Sequence, residues 1–266
     1  MGVKKRFKNI SGKLQPFVLL TLLFTSFLSS QTIDKRFWAT NGPVWCFEKY
    51  GDVLYFGGAF TQVFKPFAGI ALVDRSDEQI VNSNFPQINT GGYIWVAIPD
   101  GAGGWYVGGS FTQIGGIARN NIAHILPDGS VDGSFLPNGA NGVVYALALN
   151  VESGTPYLYV GGAFTSINGV VRNRIAKINL SNGQVTSWNP NANGVVFSIL
   201  PDAGGIYVGG AFTNIGGAGR NRLARLNPNT GNADAWNPNV GNGAVYSIQI
   251  YGTTIYVGGT FTLVGG

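Results

Sequence analysis

Beyond residue 43 the chain alternates apolar and polar positions with a period of two, and it carries no 3.6-residue helical spacing. Residues 194–238 show the unit. Residues 195–199 alternate as strand a, residues 201–205 form a turn, and residues 206–213 form strand b. A Gly-rich loop at 214–221 follows. Residues 222–226 form strand c, the Asn-Pro-Asn-Thr-Gly run at 227–231 turns, and residues 233–236 form strand d. The expected element is a four-stranded antiparallel meander.

The phrase Ile206-Tyr207-Val208-Gly209-Gly210-Ala211-Phe212-Thr213 recurs at 54–61, 105–112, 158–165 and 255–262. Its glycine doublets are Gly57 and Gly58, Gly108 and Gly109, Gly161 and Gly162, Gly209 and Gly210, and Gly258 and Gly259, at steps of 51, 53, 48 and 49 residues. A period of about 50 residues is that of a propeller blade. One such sheet cannot bury both faces alone, whereas sheets stacked around an axis bury both and leave short edges. The fold class is therefore all-β, a β-propeller with four complete blades, near 43–90, 91–140, 141–192 and 193–241, and a partial fifth at 242–266.

Three aromatic positions repeat with the blades. Strand a opens on Trp45, Trp95, Tyr145, Phe197 and Tyr246; strand d closes on Phe85, Phe135, Trp188 and Trp236; and Phe60, Phe111, Phe164, Phe212 and Phe261 follow the doublets. All three sets are expected in the core between blades, with each phenylalanine contributing about 1.5–3 kcal/mol. A phosphate cradle would need a helix and a lysine after the doublets, and neither is present. The glycines instead mark close backbone approach, so valine at Gly210 is expected to wedge neighbouring blades apart.

Residues 31–42 read as a lone strand d that latches the ring from the amino end, because they parallel the run through Trp236 into Tyr246. The final repeat stops in the loop after strand b, which reads as a truncated ring whose parent continues.

Residues 1–30 carry Lys4, Lys5, Arg6, Lys8 and Lys13, no acid, and an apolar run from Phe17 to Leu28, the pattern of a secretory signal peptide. The run is too short for a comfortable membrane span. The expected location is secreted or at the cell surface. Of the 17 basic residues, 5 lie in this segment, so 12 remain against 12 acids once it is removed. The net charge of +5 therefore gives no reason to expect nucleic acid as a partner, nor a membrane span after signal removal. Cys46 is the single cysteine, so no intramolecular disulfide is available even in an oxidising compartment.

The chemical inventory argues against catalysis. His124 is the only histidine and falls in strand c, where other copies have Lys177 and Arg225, which reads as a solvated strand position. Cys46 reads as a small buried hydrophobe. The acids lie in turns, and no carboxylate pair stands out. Asp128, Ser130 and Asp132 offer spaced oxygens of the kind that suit calcium, but they lack further acids. The plainer reading is a turn whose aspartates bond their own backbone, so no metal and no cofactor is expected.

Placing charges on the meander separates them. The a–b and c–d turns share one rim and carry Asp52, Asp74, Asp77, Glu78, Asp100, Asp128, Asp132, Glu152 and Asp202. The other rim carries Lys65, Arg119, Arg172, Arg174, Arg220 and Arg222, beside asparagines that include Asn191, Asn193, Asn239 and Asn242. These arginines and asparagines are the candidate ligand-binding residues, suited to an extracellular polysaccharide or a surface protein. The opposing reading has the guanidinium groups tying loops to carbonyls, or stacked on Trp188 and Trp236.

The run Leu126-Pro127-Asp128-Gly129-Ser130-Val131-Asp132-Gly133-Ser134-Phe135, with Tyr159-Val160-Gly161-Gly162-Ala163-Phe164-Thr165 downstream, resembles the bacterial delta-sixty repeat. The doublets with Trp188 and Trp236 also resemble kelch blades. The resemblance implies a secreted, non-catalytic β-propeller acting in binding or as a scaffold. A lectin-like module, or the propeller of a larger exported enzyme, are the alternatives.

Overall fold

The computed structural model describes residues 85–89 and 91–265, preceded by strands Val44–Tyr50, Val53–Gly58, Gln62–Val63, Lys65–Pro66 and Ile70–Asp74 as backbone. The expected signal peptide (1–30), the expected closing strand (31–42) and the Cys46 side chain lie outside the described residues. The described residues all belong to one compact unit, Thr40–Gly266.

Among them there are strands and turns but no helix. The second blade comprises Tyr93–Pro99, Trp105–Ser110 and Ile122–Ile125, and the third Val144–Glu152, Thr155–Gly162, Ile175–Asn179 and Gln184–Val185. The fourth comprises Val196–Asp202, Gly205–Gly210 and Leu223–Leu226, and Val245–Tyr251 with Thr254–Gly259 begins the next. All pair antiparallel in the order a–b–c. Strands a of successive blades lie against one another and so form the inner edge.

Two expectations are corrected. Strand d shrinks to Gln184–Val185 in the third blade and to single bridges, Ile125 with Val131 and Leu226 with Ala233, in its neighbours. Side chains take the backbone donors that would extend it: Asp132 Oδ1 accepts from the Ser134 amide at 2.9 Å, and Asp234 Oδ1 from the Trp236 amide at 2.8 Å. Second, the b–c connection is a small hairpin rather than a loop, Asn214–Ile215 pairing with Ala218–Gly219. Its turn residues Gly216 and Gly217 have φ of 62° and 73°, the left-handed pair a tight two-residue hairpin requires.

In the second to fourth blades strand b is largely apolar because both of its faces are buried. Leu158 and Val160 pack with Tyr106, Phe135 and Val144 on one side, while Tyr159 packs with Trp188, Val196 and Phe212 on the other. The two glycines of each doublet have different roles. A Cβ on Gly108, Gly161 or Gly209 would meet Val144, Val196 or Val245 of the next blade at 2.5–2.6 Å. A Cβ on Gly109, Gly162, Gly210 or Gly259 would instead strike the carbonyl oxygen of Tyr93, Val143, Val195 or Ala244, at or just before the start of its own strand a. The wedge between blades therefore belongs to Gly209, and the reading of Gly210 is corrected: its crowding lies within the blade.

That carbonyl sits at a β-bulge. Register shifts fall between Ile94 and Val96, Val144 and Ala146, Val196 and Ser198, and Val245 and Ser247. The skipped residues are Trp95, Tyr145, Phe197 and Tyr246, and a bulge re-aims the side chain it carries. These rings are only half-buried, unlike Phe135, Trp188, Phe164 and Phe212, which fill the core between blades as expected.

Candidate functional site

The rim arginines are engaged inside the protein. Arg119 donates from Nη2 to the Gly133 carbonyl at 2.6 Å and from Nη1 to that of Pro137 at 3.3 Å. Arg172 donates to the Thr186 carbonyl at 2.5 Å, and Arg220 to that of Asp234. Each tie joins the b–c hairpin to the rudimentary strand d of the same blade, through carbonyls rather than by stacking on Trp188 or Trp236. Arg174 and Arg222 have left-handed φ of 65° and 63° and reach forward to the next connection. Arg174 bonds the Ala192 carbonyl at 2.8 Å, and Arg222 bonds those of Gly243 at 2.8 Å and Val240 at 2.9 Å.

The asparagines complete this lacing. Asn193 accepts from the Thr213 and Asn214 amides at 2.8 and 2.9 Å and donates to Thr213 Oγ1 at 2.8 Å. Asn191 and Asn239 accept from Asn173 at 2.7 Å and Asn221 at 2.8 Å, while Asn242 is exposed with a left-handed φ of 49°. The structure thus brings the candidate residues onto one rim, where most of their polar groups hold the loops.

His124 is not a solvated strand position, which corrects its reading from the sequence. Its Nε2 lies 3.0 Å from Asp100 Oδ2 and its Nδ1 3.0 Å from Asp132 Oδ2, with the ring stacked on Tyr106 at 4.4 Å. Two carboxylates that are distant in sequence thus converge on one imidazole. Both ring nitrogens face an acid, which leaves neither for a hydroxyl nucleophile. Lys177, which is 5% exposed, occupies the same place in the next blade, and Arg225 pairs with Asp234 in the one after.

Burial alone would raise the Asp132 carboxyl, but hydrogen bonds from Ser134 and His124 outweigh it and hold the group down to about 2. Asp100 is also lowered: burial opposes the shift, and His124 with the Ala102 and Gly104 amides overcomes it. A depressed carboxylate contributes stability that is complete above its ordinary value of 3.8 and lost as pH falls through about 2. Between about pH 4 and pH 2 the thermal midpoint of the wild type is therefore expected to fall faster than that of Asp132→Asn. Parallel midpoints across that window would contradict the pairing.

The candidate calcium residues form local turns. Asp128 Oδ1 accepts from the Ser130 amide at 2.9 Å and Oγ at 2.6 Å, and Asp132 Oδ1 from Ser134 Oγ at 2.7 Å. Among the described residues no group of three or more His, Cys, Asp or Glu side chains is arranged to hold a metal ion.

The feature sequence reasoning missed is a row of rings on the inner edge. Trp95 meets Tyr145 at 5.4 Å, Tyr145 meets Phe197 at 5.2 Å, and Phe197 meets Tyr246 at 4.9 Å, with interplanar angles of 65°, 57° and 56°. The aromatic repeat was visible in the sequence; the bulge that turns it out of the core was not. Each ring sits near the start of strand a, beside the laced rim. Tilted neighbours at these spacings attract one another and still leave ring surface facing outward.

Three stretches, residues 103–135, 158–185 and 204–235, match the family described as "Domain of unknown function (DUF5122) beta-propeller". No curated protein matches the chain. Each matched stretch runs from the a–b turn or strand b to the rudimentary strand d of one blade, in three consecutive blades. With stacked antiparallel sheets, strands a along the inner edge and strand b buried in the second, third and fourth sheets, the chain is a β-propeller.

Proposed function

We propose that this propeller is an exported, non-catalytic binding module built of delta-sixty-type repeats. In this reading it holds an extended extracellular polysaccharide along its inner aromatic row. The observation that supports it is the ladder of Trp95, Tyr145, Phe197 and Tyr246, repeated once per blade and left half-exposed by its bulges. Aromatic surface accepts the C–H faces of sugar rings, and a repeated array suits a repeated polymer better than a single small molecule. The arginines then act as framing: they set the loops bordering the row. The Asp128 to Asp132 turn supports the repeat type, and the basic, acid-free opening of the chain supports export.

The test is a glycan array probed with the wild type, with Tyr145→Leu plus Phe197→Leu, and with Arg174→Ala plus Arg222→Ala. Leucine keeps the apolar bulk and removes the ring face. Binding to at least one polysaccharide should drop about tenfold or more in the leucine pair, a loss of about 1.4 kcal/mol. Equal binding by the leucine pair, or no polysaccharide bound by the wild type, would overturn the proposal.

A further inference from the structure

The third blade departs from the repeat in its a–b hairpin. The partners just past its bulge, Ala146 and Gly161, stand 15 positions apart, against 12 for Val96 and Gly108 and 11 for Ser198 and Gly209. The added residues lengthen both strands to a tip at Ser153 and Gly154, whose φ values of 49° and 81° make a tight left-handed turn. In repeat folds an insertion confined to one repeat commonly maps to a binding face.

The lengthened hairpin borders an open cleft of about 320 Å³, lined also by residues 186–188, just after strand d, and by Asn229 in the c–d turn of the fourth blade. This lies on the rim opposite the arginines. Its floor is an ion pair. Lys177 Nζ contacts Glu152 Oε2 at 2.5 Å and the Pro228 carbonyl at 2.9 Å, and lies 4.0 Å from the centre of the Tyr157 ring. The other Glu152 oxygen accepts from the Tyr159 hydroxyl. Charge is thus cancelled within the floor, and the three ammonium protons have acceptors.

What remains is neutral. The hydroxyls of Ser153, Thr155 and Ser187 and the Asn229 side-chain amide line the cleft and hold no hydrogen bond within the described residues. Hydroxyl and amide groups both donate and accept, so a ligand that satisfies them must do both. A fully ionised anion only accepts, and the neutralised floor offers no anion a net attraction. The volume is at the lower end for small-molecule pockets.

We propose that this cleft binds a single neutral sugar residue, through Ser153, Thr155, Ser187 and Asn229, with Tyr157 as its apolar wall. It is a second site, separate from the aromatic row. The probes are glucose, galactose, mannose and N-acetylglucosamine, each alone, and sodium phosphate, followed by titration calorimetry and ligand-observed NMR. At least one sugar should bind with a Kd of about 1–10 mM while phosphate does not. Ser187→Trp, which fills the cleft from an exposed position, should weaken that binding about tenfold or more, and Asn229→Ala should weaken it measurably, both with near-wild-type thermal midpoints.

Binding of none of the four sugars below about 50 mM, binding of phosphate instead, or affinity unchanged by both variants would overturn the proposal. Polysaccharide binding lost in Tyr145→Leu plus Phe197→Leu but kept in Ser187→Trp belongs to the row alone, so the two sites fail independently.

Discussion

Gly210→Ala is expected to unfold the protein or to cost about 4 kcal/mol or more. The added Cβ would lie closer than 3.0 Å to the Val195 carbonyl oxygen. That carbonyl is held in place, accepting from the Ala211 amide at 2.8 Å, so no side-chain rotation relieves the clash. Gly209→Ala offers the contrast. Its Cβ would meet Val245 Cγ1 at 2.6 Å, and this obstacle is a methyl group that Val245→Ala removes. The single change should cost about 1–3 kcal/mol, with the double variant less destabilised than the sum of its parts. Urea unfolding followed by tryptophan fluorescence measures both. A Gly210→Ala protein within about 1 kcal/mol of wild type would refute the bulge argument.

Lys177→Met should cost about 3–5 kcal/mol, because it leaves the Glu152 carboxylate without its cation in a largely buried place. The two side chains are 6% and 17% exposed. Lys177→Met plus Glu152→Gln should recover most of the loss, since a neutral pair of similar shape has no uncompensated charge. The matching change in the next blade, Arg225→Met, should cost about 1 kcal/mol or less, because Arg225 and Asp234 are 39% and 32% exposed and solvent screens them. Equal costs at Lys177 and Arg225 would show that burial does not set the strength of these pairs.

The repeat made the fold legible. The doublets place strand b, the alternating flanks place strands a and c, and continuous apolar residues in strand b require cover on both faces. Strand d was overread, because the aspartate and asparagine turns that look like its boundaries in fact take over its backbone donors. The b–c connection was underread, since Asn-Gly and Gly-Gly signal a two-residue hairpin and not only a loop.

The candidate site was legible in its residue types and not in their use. Arg119, Arg172 and Arg220 look like a basic rim when charges are counted. In space each guanidinium lies against a carbonyl 14 residues downstream, a pairing set by the fold of the blade. His124 likewise looked solvated until Asp100 and Asp132 were brought to its two nitrogens.

By itself the sequence determined the blade: its period, the order of its strands, the glycines that let sheets approach, and the aromatic residues that fill the gaps. These are local matters, because each depends on spacing within about 50 residues. Only the tertiary structure decided which glycine faces a neighbouring blade and which faces its own bulge, which ring leaves the core, and which cation is buried. Those outcomes turn on a one-residue register shift in strand a and on contacts between blades. A shift of one residue reverses the face every side chain presents, so no pattern within a single repeat can specify it.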